Sequence, residues 1–404
     1  MRICFVSRRF FPAISGMSVY ALNLLRELVA AGHDVTMISQ YRGDALGIRV
    51  YGGGPPPAVP GVKVIGLEQV GEQNGGDFET DVANMKAAIL AEHARQPFDI
   101  LHAQYGYPCG WAVLEASRET GVPNVVSIQG GDGHWVGSCC ETHRLAMVRV
   151  LDHAGAVLIG CQSFAEEVTD RLGTDPARFT IVPGAVDVTR FTPGTHAPDV
   201  PVMLYHGRVD ARKGVLDMLD ALAPIAAEGI AFKLLISGIG PTYDQTAARI
   251  TELGLGNHAE MTGYVDYADV PAVYHRADIF VSPTYAEGFS NTILEAMASG
   301  LAVVSCRSVG VVDCIRNEDN GLLTDPGDIP ALTTALRRVL TDTALRQRLA
   351  ETGLEECRRV YSWGAVGRQI MDVYAAMAGQ NPDNAWPLEL PMTECRFRAE
   401  PHLL

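Results

Sequence analysis

Short runs of β-branched and apolar residues recur along nearly the whole chain, each followed by a longer stretch with helical periodicity. The first series is RICFVS (2–7), DVTMIS (34–39), VKVIGL (62–67), DILHAQ (99–104), NVVSIQG (124–130) and AVLIGC (156–161). Strands that are apolar on both faces and separated by helices belong to a parallel sheet covered on both sides. The second series is VMLYHGR (202–208), KLLISG (233–238), AEMTGYV (259–265), DIFVSP (278–283) and LAVVSCR (301–307). Between the two series lies VPGAVDVTRFTPGTHAPDVP (182–201), whose Pro and Gly suit a linker. The expected fold is therefore α/β, with two Rossmann-like parallel-sheet domains facing across a cleft. Ligands of open parallel sheets sit beyond the carboxyl ends of the strands, so that cleft is the expected site. The boundaries read as 1–184 and 185–362, with a helix near 363–378 and an irregular tail over 379–404.

Composition narrows the function. Apolar residues make up 47% of the 404, enough for two buried cores. Against 32 Lys and Arg stand 47 Asp and Glu, a net charge of −15, with no local basic stripe. Nucleic acid is thus not an expected partner, and membrane contact is at most peripheral. Small anions stay open, because two placed cations decide their binding. The nine cysteines are odd in number and form no Cys-x-x-Cys, which reads as reduced thiol. The N-terminus opens directly on a strand pattern, and apolar runs fall short of the roughly 18 residues a membrane helix needs. The expected location is the cytoplasm.

No Gly-x-Gly-x-x-Gly follows a strand, and no P-loop motif is present, so nicotinamide and P-loop NTPase chemistry lose their main signatures. Two other stretches carry chemistry. In HGRVDARKG (206–214), Arg208 ends a strand and Lys213 sits in the turn before a helix. A guanidinium fork and a movable ammonium so arranged suit a diphosphate, although either cation alone reads equally as a solvated surface charge. In YAEGFSNTILEAMASG (285–300), Glu287 and Glu295 flank a small-residue turn, Gly288, Phe289, Ser290 and Asn291, at a helix start. Free amides and the helix dipole make such a turn an anion site. A carboxylate offers only acceptors, which suits sugar hydroxyls. Thr292-x-x-Glu295 equally fits a capping box.

Together these stretches resemble the retaining nucleotide-sugar glycosyltransferases of the GT-B fold, specifically glycosyltransferase family four. The likeness extends over SGMSVYALNLLRELVAAGHDV, VPGAVDVTRF, SGIGP, MTGYV, NGLL at 320–323 and a YSW element. It implies that residues 1–184 form the acceptor side, with the 363–378 helix packing back on them, and that 185–362 bind the nucleotide-sugar. Arg208 and Lys213 would grip the donor diphosphate and stabilise the leaving group. The Phe289–Asn291 backbone would contact phosphate or sugar, Glu295 the ribose, and Glu287 the transferred sugar. Gly16 would admit the phosphate, although this chain has Ser15-Gly16 where the family usually shows two glycines. Gln129 stands where many relatives place a histidine beside the donor sugar.

The resemblance thus implies a retaining, metal-independent enzyme that needs no cofactor. It would move a hexose or amino-hexose from a UDP- or GDP-sugar to an acceptor hydroxyl. The acceptor is a small molecule, glycan or lipid-linked sugar, a soluble one being favoured. The alternatives are an epimerase or phosphorylase of the same fold, or a non-catalytic two-domain sugar-binding protein.

Four further signals are assigned more ordinary roles. His134, Cys139, Cys140 and His143 have residue types that suit zinc, but adjacent cysteines are poor zinc spacing, so a substrate-side loop and no metal are expected. Tyr105, Tyr107 and Trp135 could stack on an acceptor sugar, core packing being the commoner fate of aromatics. His102 reads as a satisfied structural histidine. The Arg8-Arg9-Phe10-Phe11 segment is too small to dock a membrane stably.

Overall fold

The computed structural model describes residues 1–45, 53–134, 136–195 and 199–400. They fall into two compact units, Met1–Pro183 with Val366–Leu404, and Gly184–Ala365. Trp135 and residues 46–52 lie outside the described residues.

The first unit is built on seven parallel strands: β1 (Arg2–Ser7), β2 (Asp34–Tyr41), β3 (Val62–Glu68), β4 (Ile100–Gln104), β5 (Asn124–Ile128), β6 (Ala156–Ile159) and β7 (Phe179–Ile181). Their spatial order is β3-β2-β1-β4-β5-β6-β7. Central strands β1, β4 and β5 are buried at every position, which is why they read as unbroken apolar runs. Edge strand β3 alternates between half-buried and exposed residues, and its Lys63 pairs with Glu92. The helix Gly16–Ala30 follows β1 and buries Ala21, Leu24, Leu25 and Leu28, the spacing of one helical face. It starts at Ser15, whose side chain accepts from the Ser18 amide at 3.2 Å.

The second unit has six parallel strands: β8 (Val202–His206), β9 (Lys233–Ser237), β10 (Ala259–Gly263), β11 (Ile279–Ser282), β12 (Ala302–Cys306) and β13 (Leu322–Thr324). Their order is β10-β9-β8-β11-β12-β13. Alternate residues of a strand face opposite sides of its sheet. Thus Met203, Ile279, Val281 and Val304 enter one core, against the helices Val215–Ala227 and Ile329–Thr341. Leu204, Phe280 and Val303 enter the other, against the helix Asn291–Ala298. A sheet with two apolar cores needs strands apolar on both faces, as the sequence supplies.

The helix Trp363–Met377 begins in the second unit, and from Val366 onward it counts with the first. Its Tyr374 is fully buried and hydrogen-bonded to His102. Beyond it the described residues, up to 400, are irregular except for a single turn, Arg396–Ala399. Side chains hold it in place nonetheless. Trp386 packs edge-on to Trp111 with centroids 5.3 Å apart, and the Thr142 hydroxyl donates to the Pro391 carbonyl at 2.6 Å. None of the described helices is long and apolar enough to cross a membrane.

Candidate active site

Both sheets reverse their strand order once, at β1/β4 and at β8/β11, so the loops leaving those strands diverge and open a crevice. In the second unit the two loops at this switch point are the two stretches that carry the sequence signal.

The loop after β8 is fixed from below. The β8–β9 ladder continues past the strand ends, with the Gly207 amide donating to Ser237 O at 2.9 Å and the Val209 amide to Ile239 O at 3.0 Å. The Tyr205 hydroxyl donates to the Arg208 carbonyl at 2.7 Å. Arg208 itself stays open, its side chain 62% exposed, its Nε lying 3.3 Å from Asp210 Oδ2. Asp210 caps the single turn Ala211–Lys213 by accepting the Arg212 amide at 3.0 Å. Burial pushes the Asp210 carboxyl up, but the Arg212 hydrogen bonds and the Arg208 charge hold it below its ordinary value. Gly214 closes the turn at φ +66, and a Cβ there would collide with the Pro283 carbonyl oxygen. Only glycine lets the β8 loop lie flat on the β11 loop.

The consequence is a direct bond between the two loops. Lys213 Nζ lies 2.5 Å from Glu287 Oε1, with the side chains 30% and 18% exposed. The Tyr285 amide also donates to the Arg212 carbonyl at 3.0 Å. On its other side the Glu287 amide donates to Val309 O at 3.1 Å, in the loop after β12. That approach requires Gly310, at φ +78, whose Cβ would strike the Glu287 carbonyl. Glu287 is thus clamped through its backbone while its carboxylate meets the lysine.

After Glu287 the chain turns through Gly288 and Phe289 into the helix Asn291–Ala298, with Ser290 as N-cap. The Ser290 side chain makes no capping bond, and the first helical amides, which a helix never pairs internally, point the way an anion would approach. The Phe289 side chain packs toward Tyr361 at 5.8 Å and against Gly184, which leaves its backbone facing the turn. Thr292 lies inside the helix, so the capping-box alternative for Glu295 is not the one adopted.

Glu295 is buried at 8% exposure, and its Oε2 accepts the Tyr274 hydroxyl at 2.8 Å. Among the described residues no hydrogen bond reaches its Oε1. Burial pushes its carboxyl up to about 7, against the opposing pull of the Tyr274 hydrogen bond and the Arg190 charge. A carboxylate this costly to ionise suits a ligand whose hydroxyls would share the charge.

Gly16 and Gln129 belong to the first unit. Gly16 opens the helix after β1 and Gln129 follows β5. Buried Asp132 organises the Gln129 turn, accepting the Gln129 amide at 2.7 Å and the Gly106 amide at 2.6 Å. Burial pushes Asp132 up to about 7 in spite of those amides. His102 is fully buried with both nitrogens engaged, Nε2 at 2.7 Å from Ser127 Oγ and Nδ1 on Tyr374. Burial lowers it to about 3, so it is a neutral structural bridge. Tyr105 and Tyr107 are core residues, 3% and 1% exposed. Arg8 is buried as well, paired with Glu72 at 2.9 Å, which removes it from any surface patch.

Sequence reasoning missed Tyr274, Asp210, Gly214 and Gly310. The two glycines had a local signal, each following a strand by a few residues. Tyr274 had none, because its partner lies 21 positions ahead.

Residues 15–185 match the model of the glycosyl transferase 4-like domain, and residues 190–356 that of glycosyl transferases group 1. Among curated proteins, the glycogen synthase of Mycobacterium tuberculosis is 27% identical, over 93% of this chain and 95% of its own length. D-inositol 3-phosphate glycosyltransferase 2 of Catenulispora acidiphila is 28% identical, over 89% and 90%. Among solved structures, sucrose-phosphate synthase of Thermosynechococcus elongatus superposes with a TM-score of 0.76 at 24% identity, covering 93% of this chain and 98% of that one. HepE of Anabaena in complex with UDP gives 0.72 at 17% identity, covering 93% and 100%. Two consecutive family models spanning most of the chain, on a doubly wound α/β architecture, define a glycosyltransferase of the GT-B fold. The chain belongs to glycosyltransferase family four.

Proposed function

We propose that this enzyme transfers a hexose or amino-hexose from a UDP- or GDP-sugar to an acceptor hydroxyl, with retention at the anomeric carbon and without a metal. The observation that carries the reading is the Lys213–Glu287 contact, which joins two chemistry-bearing loops at the β8/β11 switch point. Lys213 has three donors, so it can keep Glu287 while gripping a phosphoryl oxygen. The exposed Arg208 fork takes a second oxygen bidentately, and the amides of Gly288 to Asn291 supply neutral donors. The open oxygen of Glu295 accepts from the ribose, and Glu287 accepts from the transferred sugar. Gly16 and Gln129 are assigned to donor phosphate and donor sugar on family resemblance. HepE was solved with UDP and with UDP-glucose, which supports a uridine donor among the choices.

In the reaction the bond from the anomeric carbon to the diphosphate oxygen breaks, and negative charge grows on the leaving group. Arg208, Lys213 and the helix amides are already oriented to hold it, which is where a preorganised site lowers the barrier. The acceptor oxygen bonds to the anomeric carbon from the face the diphosphate leaves, and its proton passes to the departing phosphate oxygen. Thermal shift against UDP, GDP and ADP, followed by donor screening with product mass spectrometry, tests the proposal. One nucleotide should stabilise the chain clearly above the others, and its hexose conjugate should yield a product with the configuration retained. Indifference to all three nucleotides, or an inverted product, would overturn it.

A further inference from the structure

The helix Glu141–His153 begins with an unusual cluster. Cys140 is its N-cap, Cys139 precedes it, and His143 lies in its first turn. The tail brings Cys395, the residue before its single turn Arg396–Ala399, to the same point. One candidate ligand atom from each of these four residues lies within 4.8 Å of all the others. His143 Nδ1 is 3.2 Å from Cys139 Sγ and 3.7 Å from Cys395 Sγ. A tetrahedral zinc with bonds of about 2.3 Å to sulfur and 2.0 Å to nitrogen sets its ligand atoms about 3.5–3.8 Å apart. The measured separations bracket the sulfur–nitrogen value.

The surroundings suit a metal too. Thiolate ligands are steadied by backbone amides, and each sulfur has one. The His143 amide approaches Cys140 Sγ at 3.5 Å, while Gly137 and Phe397 supply backbone hydrogen bonds to Cys139 and Cys395. The His143 ring is fully buried, packed on Tyr107 at 4.5 Å and Phe78 at 5.5 Å between centroids. Its orientation is therefore set before any ion arrives. The three cysteines are only half-buried, and a surface opening beside Cys139, Cys395, Glu394 and Arg396 gives a path for entry.

We propose that Cys139, Cys140, His143 and Cys395 bind one zinc ion in a structural site that pins the C-terminal tail to the first unit. Four protein ligands leave no open position, so the site is structural and separate from the transfer chemistry. Binding displaces the three thiol protons to solvent and converts a tail of little regular structure into a cross-linked one. Along the sequence adjacent cysteines are poor zinc spacing, and His134 stands nearby as a further candidate. In the fold His134 turns to Glu167 at 2.8 Å, and the missing ligand comes from Cys395 instead.

The test uses the full chain, purified with reductant and without chelator, and metal analysis by mass spectrometry. About one zinc per chain is expected, and Cys395→Ser should lower retention at least about tenfold. Cobalt titration of the metal-stripped wild type gives a readout independent of whether the variant folds. It should show the intense visible bands of tetrahedral cobalt with thiolate charge-transfer bands, abolished by one equivalent of zinc. Zinc near zero together with absent cobalt bands would overturn the proposal. So would unchanged zinc in Cys395→Ser, or a disulfide from Cys395 to Cys139 or Cys140 in the protein kept under reductant.

Discussion

Replacing Glu295 by Gln should make the ligand-free protein more stable and the donor bind more weakly. Burial raises the Glu295 carboxyl from an ordinary 4.5 to about 7. At about 1.4 kcal/mol per unit, ionising it in the folded state costs about 3 kcal/mol above pH 7. Gln keeps the volume and an acceptor for the Tyr274 hydroxyl but has no charge to desolvate. Its own buried amide returns part of the gain, which leaves a net stabilisation of about 1–3 kcal/mol. The sign over pH follows. The folded carboxyl holds its proton more tightly than the unfolded one, so this group lowers wild-type stability as pH rises from about 4.5 to about 7. The advantage of Glu295→Gln should therefore be small near pH 4.5 and complete by pH 8. Urea unfolding midpoints of both proteins across that range measure it. Donor affinity should fall about 10–100-fold, the loss of a hydrogen bond to a charged acceptor. A variant less stable than wild type at pH 8, or an advantage that does not grow with pH, would refute the reasoning.

Lys213→Ala removes a preorganised donor to the leaving diphosphate and should lower turnover at saturating donor by roughly 100-fold or more. Normal turnover in that assay would remove Lys213 from this role. Gly310→Ala places a methyl group against the Glu287 carbonyl at a positive φ, and should destabilise by about 1–3 kcal/mol while raising the donor KM. Denaturation and donor titration of the variant check both parts. His102, held neutral with its pKa lowered to about 3, refuses a proton that the unfolded chain accepts below about 6.5. Its contribution should be intact above that pH and drain away as pH falls toward 3, a slope that His102→Gln flattens in the same unfolding series.

What could be read in the sequence was whatever is encoded over short separations. Alternating apolar strands fed two cores on opposite sheet faces, so strand burial specified the architecture without any long-range knowledge. Arg208 with Lys213, and Glu287 with the 288–291 turn, each lie within one strand-to-helix loop. Their residue types announce a diphosphate site before the loops are known to touch. The contact itself depends on Gly214 lying against Pro283 and on the β8/β11 reversal. Sequence carries the first only as a glycine in a strand-to-helix loop and the second only as strand order. Glu295 shows the sharper limit. Its type fitted either a ribose ligand or a helix cap, and Tyr274 from another helix decided its environment.

The cysteine cluster extends that limit to a distance of 256 positions, from Cys139 to Cys395. Spacing rules for metal sites work when one short segment supplies most ligands, because the chain itself then sets their geometry. Here a helix start supplies three and the tail supplies the fourth. The tail reaches that point through Trp386 on Trp111 and Thr393 on Thr142, not through any periodic structure. An aperiodic terminal segment is therefore poor evidence for an idle one. If side-chain anchors alone place Cys395, Trp386→Ala should loosen the tail and weaken zinc retention without touching a ligand. A variant that keeps full zinc would show instead that the four ligands assemble the site unaided.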